Sequence, residues 1–227
     1  MPPTSQQRLV LERVARRLGP LLERVAYVGG GIVPLLITDP AADPVRATDD
    51  VDLIVEVATT MAYKIELRDQ LVARGFSESP EGKVLCRWKV EGITVDVMPT
   101  DPDVLGLRTR WYRPALKAAV QYPLTADLSI PIIDAPYFLA TKFEAFEDRG
   151  RNDYRASHDI EDIVAVIDGR TEMAEEFART HEDVRAFVRR HLLEPAFQEA
   201  APLHLGYGSD GREPILRARI ADFVRSA

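Results

Sequence analysis

The chain has 227 residues, 46% hydrophobic and 29% charged, with a formal net charge of −7 at neutral pH. That length buries a proper core as one large domain or two small ones. An acidic balance excludes a general nucleic-acid coating protein, though not a local basic groove. No apolar run approaches the ~20 residues of a membrane span, and the opening MPPTSQQRLVLERVARR lacks the apolar centre of a secretion signal. The lone Cys86 permits neither an internal disulfide nor a cysteine zinc site, and His158, His181, His191 and His204 show no metal-ligand spacing. A cytoplasmic protein with no membrane segment is expected.

In chain order, Leu9, Val10, Val14 and Leu18 recur at helical spacing, so a helix is expected over 5–18, ended by Gly19-Pro20. A turn of helix over 21–25 leads into a short strand, Ala26 to Val28, which runs into Gly29, Gly30 and Gly31. Residues 32–37 read as a helix whose N-terminus faces that turn, a natural phosphate-binding position. A proline-bearing loop, Asp39-Pro40 to Asp43-Pro44, then leads to a strand from Asp50 to Val57. Should that strand start early, Arg46 and Thr48 fall on the Asp50 face, facing phosphate or nucleotide. Arg46 reads equally well as a surface charge partnering Asp49.

Residues 59–74 read as a helix, capped by Thr59 or Thr60 and stopped at Gly75. Strands over 84–90 and 93–98 join at Glu91-Gly92, a tight hairpin signal. A helix is expected over 111–120, then a short strand over 129–133 whose Pro131 suggests an edge. From Ala135 the pattern turns helical. One helix runs to about Asp148 and another from Ser157 to Ile167. Amphipathic helices follow over 172–200 and 214–227, with a glycine-bearing connector over 203–212. The expected class is α/β (α+β): a small mixed sheet flanked by helices over 1–134, and a helical domain over 135–227 closing the active-site cleft.

Strand residues i and i+2 share a face. Asp50 and Asp52 therefore point one way and Val51, Leu53, Val55 and Val57 the other. In the later strand Asp96 opposes the apolar face of Ile93, Val95 and Val97. Clustered carboxylates at the mouth of a buried strand are costly to desolvate. A divalent cation offsets that cost, and Mg²⁺ prefers one or two carboxylates plus substrate phosphates. Each acid alone reads as an ordinary solvated residue. Together, behind a glycine turn, they form the set that two-metal phosphoryl transfer needs.

Gly29, Gly30, Asp50, Asp52 and Asp96, in that order, resemble the nucleotidyltransferase superfamily signature: a Gly-Gly or Gly-Ser turn, Asp-x-Asp, and a third Asp on a later strand. The gap from Gly30 to Asp50 is longer than the family's usual one, and the excess falls in the loop, where insertions cost little. A second resemblance lies in Pro136 to Phe146, Arg155 and Asp159-Ile160-Glu161-Asp162-Ile163. These look like the later motifs of AbiEii-type nucleotidyltransferases, Leu-Ala-x-Lys-x-x-Ala followed by Arg and Asp-x-x-Asp. Lys142, Asp159 and Asp162 take the motif positions, and His158 stands where the family usually has Lys.

The resemblance implies a nucleotidyltransferase fold and Mg²⁺-dependent transfer of a nucleoside monophosphate from an NTP to an acceptor hydroxyl. Asp50 and Asp52 would hold two Mg²⁺ ions, and Asp96 would share the catalytic one. Gly29 and Gly30 would cradle β- and γ-phosphates, with Lys142 neutralising triphosphate charge. Arg46, Thr48, Asp159 and Asp162 complete the nucleotide-binding set. It also implies a toxin acting on tRNA or another RNA, with an antitoxin protein as partner. Small-molecule acceptors such as an antibiotic, or a degenerate binding module, are the alternatives. The bland readings stand beside these: Lys142 as a snorkelling lysine, Asp159 and Asp162 as solvated residues partnered by Arg155. Arginine clusters 149-151-155 and 185-189-190 are candidate RNA contacts, or ordinary exposed helix faces.

Overall fold

Seven short runs of β-formers, punctuated by glycine and proline turns, pair into one mixed sheet in the computed structural model, which describes residues 5–48, 50–57, 59–79, 86–106, 110–206 and 211–226. The strands are β1 (Val25–Val28), β2 (Asp50–Val55), β3 (Ser77–Glu78), β4 (Arg87–Val90), β5 (Ile93–Pro99), β6 (Val120–Pro123) and β7 (Ser129–Ile132). Their spatial order is β3-β4-β5-β2-β1-β7-β6. β2 runs parallel to β5 and β1 parallel to β7; the other neighbours are antiparallel. Helices in chain order begin with α1 (Ser5–Leu18), α2 (Val33–Leu36), α3 (Arg68–Val72), α4 (Pro102–Leu105) and α5 (Tyr112–Lys117). They continue with α6 (Ala135–Arg149), α7 (His158–Gly169), α8 (Met173–Arg179), α9 (Glu182–Leu192), α10 (Pro195–Ala200) and α11 (Arg212–Ser226).

The chain divides into two compact units. One comprises Pro3–Ile32 and Ala47–Ile133, the other Val33–Arg46 and Asp134–Ala227. In the first, the whole sheet is flanked by helices. Tyr27, Leu53, Val95 and Ile130 are fully buried in its core. The Tyr27 hydroxyl donates to the Leu11 carbonyl at 3.3 Å and the Tyr63 hydroxyl to the Val97 carbonyl at 2.6 Å, tying flanking helices to β1 and β5. A π-helical turn (Ala62–Leu67) precedes α3, where the sequence predicts plain α-helix. Thr59 caps that segment, its hydroxyl accepting from the Ala62 N–H.

Other expectations are corrected here. The predicted helix over 111–120 stops at Lys117, and Val120 opens β6. Val-Gln-Tyr suits a strand, and pairing with β7, Val120 opposite Ile132 and Tyr122 opposite Ile130, overrides a weak helical pattern. Pro131 does not mark an edge, because β7 lies between β1 and β6. Ile133 donates to the Tyr27 carbonyl, and N–H groups two residues apart point the same way. The N–H that Pro131 lacks therefore falls level with Val25, the first residue of β1, where the ladder only begins. β2 starts at Asp50, so Arg46 is not on its face. Residues 84 and 85 of the predicted hairpin, and 207–210 of the predicted connector, lie outside the described residues.

The second unit is helical. Asp134 caps α6, its carboxylate accepting from the Tyr137 N–H at 2.9 Å. Phe138, Leu139 and Phe143 of α6 and Ile160, Ile163, Val164 and Ile167 of α7 are buried together. Residues 33–46 belong to this unit because their backbone is tied to the end of α7. Thr38 and Asp39 both donate to the Gly169 carbonyl, at 2.9 and 2.8 Å. A Cβ on Gly169 would lie 2.7 Å from an Ile37 side-chain carbon, so only glycine admits that contact. Arg212 bridges Asp168 at 2.8 Å and Asp39 at 3.1 Å, and Arg219 adds a second cation on Asp39.

Candidate metal centre

Strand register assembles the acids. β2 and β5 are parallel neighbours with Asp52 opposite Asp96, and Asp50 precedes Asp52 by two residues on the same face. One carboxylate oxygen from each of Asp50, Asp52 and Asp96 lies within 4.8 Å of the others. The opposite faces, Val51, Leu53, Val95 and Val97, are buried in the core and fix both strands. Three hard oxygen donors converging from two rigid strands suit Mg²⁺, and their mutual repulsion is what a divalent cation relieves.

The glycine turn is built around the same carboxylates. Gly29 follows the last residue of β1 at φ +72°, where L side chains are strained. A Cβ there would fall 2.0 Å from an oxygen of Asp52, so Asp52 occupies the space a side chain would need. A Cβ on Gly31 would stand 3.6 Å from the Thr48 hydroxyl oxygen. That oxygen is buried with no hydrogen-bond partner among the described residues. Three converging carboxylates and an orphaned hydroxyl fit a site for a metal-bound phosphate.

Sequence reasoning missed Arg87. It lies on β4 directly opposite Asp96. Its Nε donates to one Asp96 oxygen at 2.9 Å and its Nη2 to the other at 2.7 Å, a two-pronged pair. Asp96 is 8% exposed. The same contact holds the Arg87 guanidinium pKa above its ordinary value, through hydrogen bonds and charge from Asp96. The signal was present in the sequence. A two-residue turn at Glu91-Gly92 pairs Val90 with Ile93 and, counting outward, Arg87 with Asp96.

In the helical unit, Lys142, Asp159 and Asp162 come together. Lys142 Nζ donates to Asp159 at 3.0 Å and to Asp162 at 2.6 Å, and all three residues are buried. This corrects two expectations: Lys142 does not snorkel to solvent, and the two aspartates are not solvated. Burial alone would lower the Lys142 pKa, but Asp162 and Asp159 more than offset it and hold the ammonium raised. Burial likewise opposes ionisation of Asp159, while Arg149 and then Lys142 bring its pKa below the ordinary carboxylate value. Arg149 is the arginine partner, two-pronged on Asp159 at 3.0 and 2.9 Å; Arg155 pairs with Glu199 instead.

Arg46 pairs loosely with Glu161 at 3.4 Å and Asp162 at 3.8 Å. It lines a cavity of about 120 Å³ together with Asp43, Glu161, Asp162 and His204. Asp49, its expected partner, lies outside the described residues. His158 is exposed and contacts Glu161 at 3.0 Å. Of the second arginine cluster, Arg190 pairs with Glu147 and stacks over Phe187.

The seven-stranded mixed sheet flanked by helices is of the α/β class and has a nucleotidyltransferase-like fold. In fold the chain is similar to an antigenic nucleotidyltransferase-like protein from Paracoccidioides brasiliensis known from a crystal structure. The TM-score is 0.51 over 91% of this chain and 96% of that one, at 17% sequence identity. No family model and no curated protein matches the sequence. Among the described residues no helix is long and apolar enough to cross a membrane.

Proposed function

We propose that the chain is a nucleotidyltransferase that moves a nucleoside monophosphate from an NTP to an acceptor hydroxyl and releases pyrophosphate. One observation carries this reading: Asp50, Asp52 and Asp96 converge on register-paired strands beside Gly29, a glycine whose side-chain space one of them fills. Asp50 and Asp52 would hold two Mg²⁺ ions and Asp96 would share one of them. When bound, the ions neutralise triphosphate charge and acidify the acceptor hydroxyl. Gly29 and Gly30 would cradle β- and γ-phosphates, and Thr48, whose hydroxyl has no partner among the described residues, would join the nucleotide-binding set. Lys142, Arg46, Asp159 and Asp162 would belong to the nucleotide-binding set, Lys142 as the cation for triphosphate charge, although it is paired here with both aspartates. Most of the acceleration is then positioning and charge stabilisation.

The AbiEii-type resemblance favours tRNA or another RNA as acceptor, with the chain as a toxin and an antitoxin as partner. A small hydroxylated acceptor is the second reading. It is favoured by the net charge of −7 and by the engagement of Arg149 and Arg155 with Asp159 and Glu199. Incubation with each α-labelled NTP, Mg²⁺ and total cellular RNA tests both. Label is expected in a tRNA-sized band, and its affinity should fall with log salt at a slope of about −0.7 per phosphate neutralised on single strands. Asp52→Asn should abolish transfer while the thermal melt stays within a few degrees; Asp96→Asn should abolish it as well, and lower the melt further because its two-pronged pair with Arg87 is lost. Full activity in either variant overturns the metal assignment; label only on a small molecule replaces the RNA reading.

A further inference from the structure

The third acid of the triad is already occupied. Both oxygens of Asp96 accept from Arg87, at 2.9 and 2.7 Å, and the ladder sets the two residues directly opposite each other. A divalent cation approaching Asp50 and Asp52 therefore meets a carboxylate whose charge is compensated and whose oxygens are shared. We propose that Arg87 is a positioning residue that sets the metal affinity of the triad. It holds free divalent ions off the site, so that metal enters together with a triphosphate. The inference rests on the metal reading above.

Three features support it. Removing water strengthens electrostatics, and Asp96 is nearly buried, so the guanidinium acts on it with little screening. A fixed cation about 3 Å from a ligand carboxylate must lower the affinity of that carboxylate for a second cation. The Arg87 side chain, which ends in a planar fork, is itself 32% exposed. That fork matches phosphate oxygens as well as carboxylate ones. An incoming triphosphate thus offers Arg87 a second set of acceptors and frees Asp96 for the metal it carries. Free metal offers no such exchange.

Mn²⁺ is the probe, titrated at pH 8 into wild type and variants and followed by loss of the free-ion electron paramagnetic resonance signal. Arg87→Met should bind free Mn²⁺ at least tenfold more tightly than wild type. Arg87→Lys, which keeps the charge, should stay within threefold of wild type. With an α,β-methylene NTP analogue present, the gap between wild type and Arg87→Met should close to under threefold. Should Arg87→Met fail to fold by thermal melt, Arg87→Gln carries the same test with a neutral donor. Unchanged or weaker Mn²⁺ binding in the neutral variants overturns the proposal, as does Arg87→Lys tightening as much as they do. Mn²⁺ bound by wild type, lost in Asp52→Asn and unmoved at Arg87 overturns this inference alone. No Mn²⁺ bound by any variant, with or without the analogue, overturns the metal reading with it.

Discussion

At the scale of single residues, the site depends on what a side chain is denied as much as on what it supplies. Gly29→Ala puts a methyl into the space of the Asp52 carboxylate at a positive φ. Strain of this kind costs roughly 1–3 kcal/mol. Denaturant melts should register that loss, and Mn²⁺ binding should weaken because Asp52 must turn away; unchanged binding would mean Asp52 is not a ligand. Lys142→Met leaves Asp159 and Asp162 buried without their shared cation, a change that typically costs about 3–5 kcal/mol. The pH dependence has a definite sign. Asp159, lowered from 3.8, contributes stability that is present above that value and lost as pH falls through the folded one. Lys142, raised from 10.5, contributes below that value and loses it as pH rises through the folded one. The difference between wild type and Lys142→Met should therefore be flat from about pH 5 to 10 and shrink outside that window. Asp50, Asp52, Asp96 and Gly29 were legible in the sequence because alternation and a glycine turn are local patterns. The Arg149–Asp159 pair was not, since it depends on how the turn over 150–157 brings the end of α6 back to the start of α7.

At the scale of elements, hairpin chemistry decides which side chains meet. Glu91 and Gly92 both take positive φ, 49° and 80°, as a primed two-residue turn requires. Gly92→Val should cost roughly 1–2 kcal/mol and raise amide exchange along β4 and β5. Looser pairing also slackens the Arg87–Asp96 fork, so Mn²⁺ affinity should shift with stability; a silent variant would detach the turn from the site. The capped start of α6 gives a second case. Burial raises the Asp134 carboxyl to about 6, with the Tyr137 N–H opposing the shift. Such a group favours the folded state when protonated, so its cost appears as pH rises from about 4 through 6. Asn caps as well as Asp does. Asp134→Asn should accordingly raise the melting temperature above pH 7 and lose that advantage by pH 4. Element types were mostly readable from periodicity. The exceptions, β6 and the inner position of β7, depend on a partner strand that local pattern does not disclose.

At the scale of the whole molecule, the sheet order and the separation into two units followed from long-range pairing, and only the change of character near Ala135 was visible beforehand. The helical unit is discontinuous in sequence. Val33–Arg46 supplies buried Leu35 and Leu36 and the Asp39 carboxylate that Arg212 and Arg219 share. A fragment spanning 135–227 should therefore lack a cooperative melt by circular dichroism, and a sharp transition would show that the segment is dispensable. Synthesis gives that arrangement a further cost. Residues 33–46 leave the ribosome roughly 100 residues ahead of α7, a wait of about 5–20 s at ordinary translation rates. Through that interval Leu35 and Leu36 lack the helical unit in which they are buried. Until Gly169 is made, Thr38 and Asp39 have no acceptor for their N–H groups from the end of α7, so the helical unit closes late.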